Sequence, residues 1–312
     1  MSDKHDLSYY AKCVVGGAMA CGITHTAIVT LDLIKCQRQI DPNIYKSLGD
    51  GVRTLYGNKG VRGLTLGWGP TFVGYSLQGM GKFGFYELFK DVYAKIAGDR
   101  VHDYKVIGFA LSSASAEVIA DAFLCPFEAT KVRMQTAKPG TFPETFIAAF
   151  NKIRVEEGKT GFYKGLAPLW ARQVPYTIVK FVFFEKTVEW FYKNLFTAKP
   201  KNEYSKATQL SVTFASGYIA GVICALVSHP ADTMVSKLNN VKTEGSTGQA
   251  VRAIYKEIGF AGLWRGLFTR ILMIGTLTGL QWWIYDTFKT AVGLQTSGGF
   301  AKKKDNVTPE KK

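Results

Sequence analysis

Three short patterns recur in the same order three times along the 312-residue chain. The first reads Thr30-Leu-Asp32-Leu-Ile-Lys35, Pro126-Phe-Glu128-Ala-Thr-Lys131 and Pro230-Ala-Asp232-Thr-Met-Val235, with starts 96 and 104 residues apart. The second is glycine-rich: Gly60-Val-Arg-Gly63, Gly158-Lys-Thr-Gly161 and Gly259-Phe-Ala-Gly262. The third pairs an aromatic with an acid: Tyr86-Glu87, Phe184-Glu185 and Tyr285-Asp286. Repetition at a fixed period means one structural unit used several times, each copy burying its apolar surface against its neighbours. The spacing divides the chain into repeats at 1–98, 99–200 and 201–295, followed by a basic polar tail at 296–312.

Each unit has the same internal order. An apolar stretch rich in small residues precedes the first motif, over 14–34, 106–125 and 210–227. At about 20 residues such a stretch can span a bilayer. A polar stretch with helical spacing follows, over 45–55, 142–153 and 249–258, and a second long apolar stretch runs over 68–93, 166–191 and 268–292. The predicted fold is therefore an all-α membrane protein. Six transmembrane helices form three pseudo-symmetric repeats around a central cavity, with a short amphipathic helix in each repeat. Gly16, Gly17, Gly22, Gly217 and Gly221 suit close helix contact. The alternative, a soluble all-α repeat protein, would have to bury six such apolar stretches in a solenoid.

Composition agrees with a polar-lined membrane protein without demanding it. Mean hydropathy is near zero although 47% of residues are hydrophobic. That balance fits either membrane helices with a polar inner face or a soluble basic protein. The formal net charge is +15, a basis for attraction to nucleic acid, an anionic membrane surface or a small anion. Part of it lies in the tail at Lys302, Lys303, Lys304, Lys311 and Lys312. A basic stripe interleaved with aromatics, the mark of a nucleic-acid surface, is not found. The five cysteines, Cys13, Cys21, Cys36, Cys125 and Cys224, are widely spaced and give neither a disulfide framework nor a zinc pattern. The first ten residues are polar and do not read as a secretory signal. No nucleophile–base pair or phosphate-cradling glycine loop points to an enzyme, and no cofactor is expected.

The three motifs resemble those of the mitochondrial carrier family: Pro-x-Asp/Glu-x-x-Lys/Arg, a glycine-rich motif, then aromatic-Asp/Glu-x-x-Lys. Within it the chain is most similar to the phosphate carrier subgroup. Thr24-His25-Thr26, Gly74-Tyr-Ser-Leu-Gln78-Gly, Gly81-Lys82-Phe83-Gly84, Ala116-Glu117 with Ala120-Asp121, Cys125-Pro126-Phe127-Glu128, Gln173-Val-Pro175-Tyr176, Lys180-Phe181 and His229-Pro230-Ala231-Asp232 carry that resemblance. It implies movement of inorganic phosphate with a proton, or in exchange for hydroxide, across the mitochondrial inner membrane. The implied partners are phosphate, a proton and membrane lipid, with no nucleic acid, and a monomer is expected.

The resemblance also implies two ionic gates. On the matrix side Asp32 pairs with Lys131 and Asp232 with Lys35, while Glu128 faces Val235 and has no base. Pro126 and Pro230 are expected to kink their helices, but Thr30 stands where the pattern has proline, so the first helix lacks that device. On the cytoplasmic side the register pairs Glu185 with Lys289 and Asp286 with Lys90, and leaves Glu87 opposite Val188. Partly solvated ion pairs contribute about 0–1 kcal/mol each, which suits links that must break in every cycle.

The even apolar stretches also suggest the substrate site. Five positions before each motif acid stand Lys82, Lys180 and Gln281. A charge within an apolar span is costly and usually faces a cavity. Two ammonium groups and an amide converging on one axis suit a compact oxyanion. Gln78 and Tyr176, nine positions before their acids, add neutral donors. Arg172 and Arg270 lie nearer the matrix ends; Arg172 resembles a substrate-contact position of the family, and arginine matches phosphate geometry.

Intramembrane carboxylates and histidines are typical of proton relays, and helical spacing gathers such groups here. At 100° per residue, Cys21, His25, Asp32 and Cys36 fall within about 60° of one another, and Glu117, Asp121 and Glu128 within about 40°. Glu117 with His25, and Asp121 beside them, are the expected proton carriers. Two other readings remain. Cys21 and Cys36, joined by Cys125 or Cys224, could carry copper(I) as soft ligands in the same fold. A non-transporting basic interaction protein would extract into water without detergent.

Overall fold

The computed structural model describes residues 6–41, 43–137, 140–240, 247–264 and 267–298, and among them all regular structure is helical. The elements are α1 (Leu7–Ala27), α2 (Val29–Ile40), α3 (Leu48–Leu64), α4 (Trp68–Ala97), α5 (Lys105–Thr136), α6 (Phe146–Tyr163), α7 (Leu166–Asn194), α8 (Lys206–Asn240), α9 (Thr247–Leu263) and α10 (Leu267–Ala291). The long helices pack in a closed ring, α1–α4–α5–α7–α8–α10 and back to α1. The short helices α3, α6 and α9 lie against α2, α5 and α8 respectively, one per repeat. The described beginning and end of the chain sit at the opposite end, called here the terminal end.

The packing is inverted relative to a water-soluble protein. Lys82, Glu117, Asp121, Lys180, Glu185 and Gln281 are buried, while Met19, Ile23, Leu111, Phe123, Leu226 and Trp283 are exposed. Apolar side chains facing outward around a polar axis are what a bilayer requires, since lipid offers no hydrogen bonds. By length and apolarity alone, α5 and the Lys206–Pro230 part of α8 qualify as spans, and Leu7–Ala27 with Val29–Arg38 qualify as one bent span. The helices α4, α7 and α10 fall short of that criterion because charged, amide and tyrosine side chains interrupt them. Among those interruptions, Lys82, Lys180 and Gln281 are buried on the inner face of the ring.

The joint between α1 and α2 departs from expectation. The chain bends by 58° there although Thr30 replaces proline. Ile28 leaves helical geometry at φ −103° and ψ 10°. Thr30 Oγ1 then donates to the Leu64 carbonyl at 3.0 Å, tying α2 to the end of α3. In α5 and α8 the helix runs on through Pro126 and Pro230.

The glycine-rich motif now has a physical reason. Gly60, Gly158 and Gly259 adopt φ of 59°, 66° and 61° with ψ of −145°, −162° and −176°. That region is essentially closed to residues with a Cβ. Each glycine breaks its short helix at the same place, so the chain turns toward the next long helix. A second device is close helix approach. A Cβ on Gly17 would lie 2.2 Å from the Gly79 carbonyl oxygen, and one on Gly79 would lie 2.1 Å from that of Gly17. α1 and α4 therefore touch backbone to backbone, the arrangement small residues permit in membranes.

Candidate functional site

α4, α7 and α10 place their equivalent residues on the axis because each turns the same face inward. Lys82 and Lys180 are both buried, as is Gln281. Lys82 Nζ lies 2.9 Å from Glu117 Oε2. Gln78 Nε2 donates to Glu117 Oε1 at 3.1 Å and to Asp121 Oδ1 at 3.0 Å. On the other side of the axis, Lys180 Nζ donates to Gln281 Oε1 at 3.3 Å, and Gln281 Nε2 lies 3.1 Å from His25 Nε2. The His25 ring stacks on Tyr75 at 3.7 Å between centroids. The expected contact residues and proton carriers thus form two linked groups. One joins Lys82, Gln78, Glu117 and Asp121. The other joins Lys180, Gln281 and His25.

Three further expected residues sit around these groups. Tyr176 presents its ring 5.6 Å from Lys180 Nζ, and its carbonyl accepts from the Cys224 thiol at 3.3 Å. Arg172 is exposed on α7. Arg270 donates from Nη2 to Ser228 Oγ at 3.0 Å, bridging α10 and α8.

A further layer, outside the three motifs, lies beside these groups. The residue after each contact position is aromatic: Phe83, Phe181 and Trp282. Their rings meet pairwise, with centroids 5.6 Å apart for Phe83–Phe181 and 5.1 Å for each of the other two pairs. They separate the lysines from the terminal end with an apolar lid. The signal was in the sequence, since all three copies place an aromatic at that position.

Charged layers close both ends. At the short-helix end Lys131 Nζ lies 3.2 Å from Asp32 and 3.6 Å from Glu128 on its own helix. The Asp32–Lys131 pair matches expectation. The side chain of Asp232, the expected partner of exposed Lys35, lies outside the described residues. Gln37 and Gln135 brace this end, Gln37 donating to the Gln135 carbonyl and Gln135 to that of Leu66.

At the terminal end the pairing differs from the register reading. Lys90 meets Glu185 at 3.2 Å, with Glu87 3.7 Å away on its own helix, and Lys289 meets Glu87 at 3.9 Å. Glu185 is therefore not the partner of Lys289, nor Asp286 of Lys90, and Glu87 does have a base. A repeat in sequence fixes which positions are equivalent, but not the sense in which each base reaches round the ring. The acid left facing Val188 is Asp286, which accepts instead from Thr213 Oγ1 at 2.7 Å and from Ser297. Tyr86 adds a hydroxyl to Glu185 at 3.0 Å.

The cysteines are all free thiols. Cys21 is buried and Cys36 partly so, while Cys125 donates to the Phe162 carbonyl at 3.2 Å. Among the described residues no three of His, Cys, Asp and Glu are grouped as a metal site.

A ring of six helices in three similar pairs, with buried cations on its axis and ion pairs at both mouths, defines a membrane transporter. A profile of the family described as mitochondrial carrier protein matches the chain three times, at residues 6–97, 102–195 and 206–295. The chain belongs to the mitochondrial carrier family and is a multi-pass protein of the mitochondrial inner membrane, not an enzyme. It is 54% identical over 292 residues to the probable mitochondrial phosphate carrier protein of Schizosaccharomyces pombe, covering 93% of each chain. It is 55% identical over 287 residues to the mitochondrial phosphate carrier protein of Caenorhabditis elegans, covering 92% of this chain and 82% of that one. To solute carrier family 25 member 3 of Homo sapiens it is 51% identical over 282 residues, covering 90% of this chain and 76% of the relative.

Proposed function

We propose that this protein carries inorganic phosphate into the mitochondrial matrix together with a proton, or in exchange for hydroxide, by alternating access. The observation that carries the reading is the pair of buried ammonium groups, Lys82 and Lys180, at equivalent positions on α4 and α7, with Gln281 completing the set on α10. Its similarity to proteins named as mitochondrial phosphate carriers supports phosphate as the substrate.

The geometry suggests how phosphate and proton are coupled. In the closed site Lys82 is compensated by Glu117. A phosphate oxygen arriving at Lys82 Nζ takes the place of Glu117 Oε2. A buried carboxylate that loses its cation is strongly disfavoured and is neutralised by a proton. Asp121 shares the Gln78 bridge and offers a second seat for that proton, and His25 connects the relay to Lys180 through Gln281. Binding of the anion thus calls for a proton in the same cavity, and both leave together. Arg172 and Arg270 serve phosphate on the way to the short-helix end, and Tyr176 flanks Lys180.

Alternating access follows from the two charged layers. The short-helix end, with Asp32, Lys35, Glu128, Lys131 and Asp232, faces the matrix. The terminal end, with Glu87, Lys90, Glu185, Asp286 and Lys289, faces the cytoplasmic side. A single chain surrounds the site, so one copy suffices for transport, and lipid covers its apolar outer face.

The test is uptake of labelled phosphate into liposomes holding the purified protein, with and without an inward proton gradient. Uptake that the gradient drives and Lys82→Ala abolishes supports both substrate and site. A folded protein that takes up no phosphate, or one whose flux is indifferent to Lys82 and is lost with Cys21 and Cys36, refutes the reading and points to copper(I).

A further inference from the structure

Two of the three acids at the terminal end have lysine partners from a neighbouring helix, and among the described residues the third has none. The position equivalent to Lys90 and Lys289 on α7 is Val188. A lysine there would face Asp286, which is fully buried. A buried carboxylate left without donors would be costly, and the chain supplies them from elsewhere.

Beyond α10 the backbone folds back into the mouth of the ring, and residues 296–298 take the vacant place. The Ser297 amide donates to both Asp286 oxygens at 3.0 Å, and Ser297 Oγ donates to Oδ1 at 2.7 Å. Lys289 Nζ reaches Ser297 Oγ at 3.3 Å, so the same serine also joins the neighbouring ion pair. Thr296 and Ser297 are 6% and 4% exposed, which makes this a buried insertion and not a surface strand.

The next residue confirms the fit. Gly298 has φ 126°, a conformation that favours glycine, and a Cβ there would lie 2.6 Å from Val188 Cγ1. The segment therefore packs directly on the side chain that stands where the base is missing. Its outer side is held by the α7–α8 connection. Lys201 Nζ donates to the carbonyls of Thr296 and Ser297 at 2.9 and 2.6 Å. Thr296 Oγ1 donates to Gln209 Oε1 at 3.1 Å on α8.

We propose that residues 296–298 are the third latch of the terminal-end gate, with Ser297 serving Asp286 in place of a lysine and Lys201 fastening the latch from outside. The latch lifts out whenever that end opens. It rests on the alternating-access reading, because a latch has meaning only in a protein whose two ends open in turn.

The experiment follows the opening of that end without any phosphate. Cys13 is fully buried beside Tyr9 and Tyr285 on the terminal side. The rate at which a membrane-impermeant thiosulfonate modifies it in the reconstituted full chain reports how often the terminal end opens, with peptide mass spectrometry assigning the modified cysteine. Ser297→Ala removes one hydrogen bond to a charged group and is expected to raise that rate about tenfold, the factor equivalent to ~1.4 kcal/mol. Ser297→Asp sets a like charge against Asp286 and raises it further. Val188→Lys added to Ser297→Ala supplies the missing base and returns the rate toward that of the unaltered protein. An unchanged Cys13 rate in both serine variants overturns the latch. So does an equal rise at Cys125, near the short-helix end, because that result signals general loosening. Failure of phosphate uptake with Cys13 responding as expected would refute the substrate and leave the latch intact.

Discussion

Lys82 and Glu117 form a buried ion pair at 2.9 Å, with side chains 5% and 0% exposed, and their mutual dependence can be measured. Lys82→Met leaves the buried Glu117 carboxylate without its cation, still accepting from the neutral Gln78 amide. Glu117→Gln leaves an ammonium in the same buried site. Removing one partner of such a pair costs about 3–5 kcal/mol, whereas removing both charges together is often close to neutral. Each single variant should therefore lose about 3–5 kcal/mol, and Lys82→Met with Glu117→Gln should recover most of it, a coupling of at least ~2 kcal/mol. At about 2–4 °C per kcal/mol, each single melts roughly 6–20 °C below the parent. Thermal unfolding of the four proteins in one detergent measures the cycle. All three variants are expected to lose phosphate uptake, so stability and transport separate in the double variant. If the double variant melts as low as the sum of the singles predicts, the two charges do not compensate each other and the proposed exchange of Glu117 for phosphate at Lys82 is wrong.

The α3 helix offers an internal comparison, since nothing lies within 4 Å of a Cβ built on either Gly57 or Gly60. Gly57→Ala should stabilise the protein by about 0.5–1 kcal/mol in a thermal melt, while Gly60→Ala, at φ 59°, should destabilise it by about 1–3 kcal/mol. Gly79→Ala drives a methyl group to 2.1 Å from the Gly17 carbonyl oxygen and should cost about 1–3 kcal/mol, with lost expression or a lowered melting temperature as the readout. Glu157 on α6 is held below its ordinary value of 4.5 by its bonds to Lys164 and Arg133. A depressed carboxylate contributes stability above its unfolded value and loses it as pH falls through the folded one, so Glu157→Gln should flatten the decline in melting temperature below about pH 4.5.

The sequence made the repeat plain, and with it most of the architecture. The second apolar stretches at 68–93, 166–191 and 268–292 lie within or nearly coincide with α4, α7 and α10. Register alone aligned Lys82, Lys180 and Gln281, because helices related by symmetry bring equivalent positions to one axis. What register could not supply was direction and distance along the chain. The sense of pairing round the terminal mouth depends on how the ring closes, so the partners of Glu185, Asp286 and Glu87 came out differently. Ser297 lies 11 residues beyond Asp286, outside every repeated motif, and nothing in local periodicity links them. Gln78 is read from sequence as a neutral donor toward substrate, yet it spans Glu117 and Asp121, a role set by the contact of α4 with α5.

The bend between α1 and α2 makes the three repeats mechanically unequal. At Pro126 and Pro230 the ring permanently removes a backbone donor, and no straightening of the chain can restore it. At Ile28 and Thr30 every residue keeps its donor, and the bend is held from outside by one hydroxyl on the Leu64 carbonyl. α5 and α8 thus carry a fixed loss of one backbone donor inside an unbroken helix, while the α1–α2 joint is a bend that can trade its side-chain bond for helical ones. A ring with one such member need not open evenly.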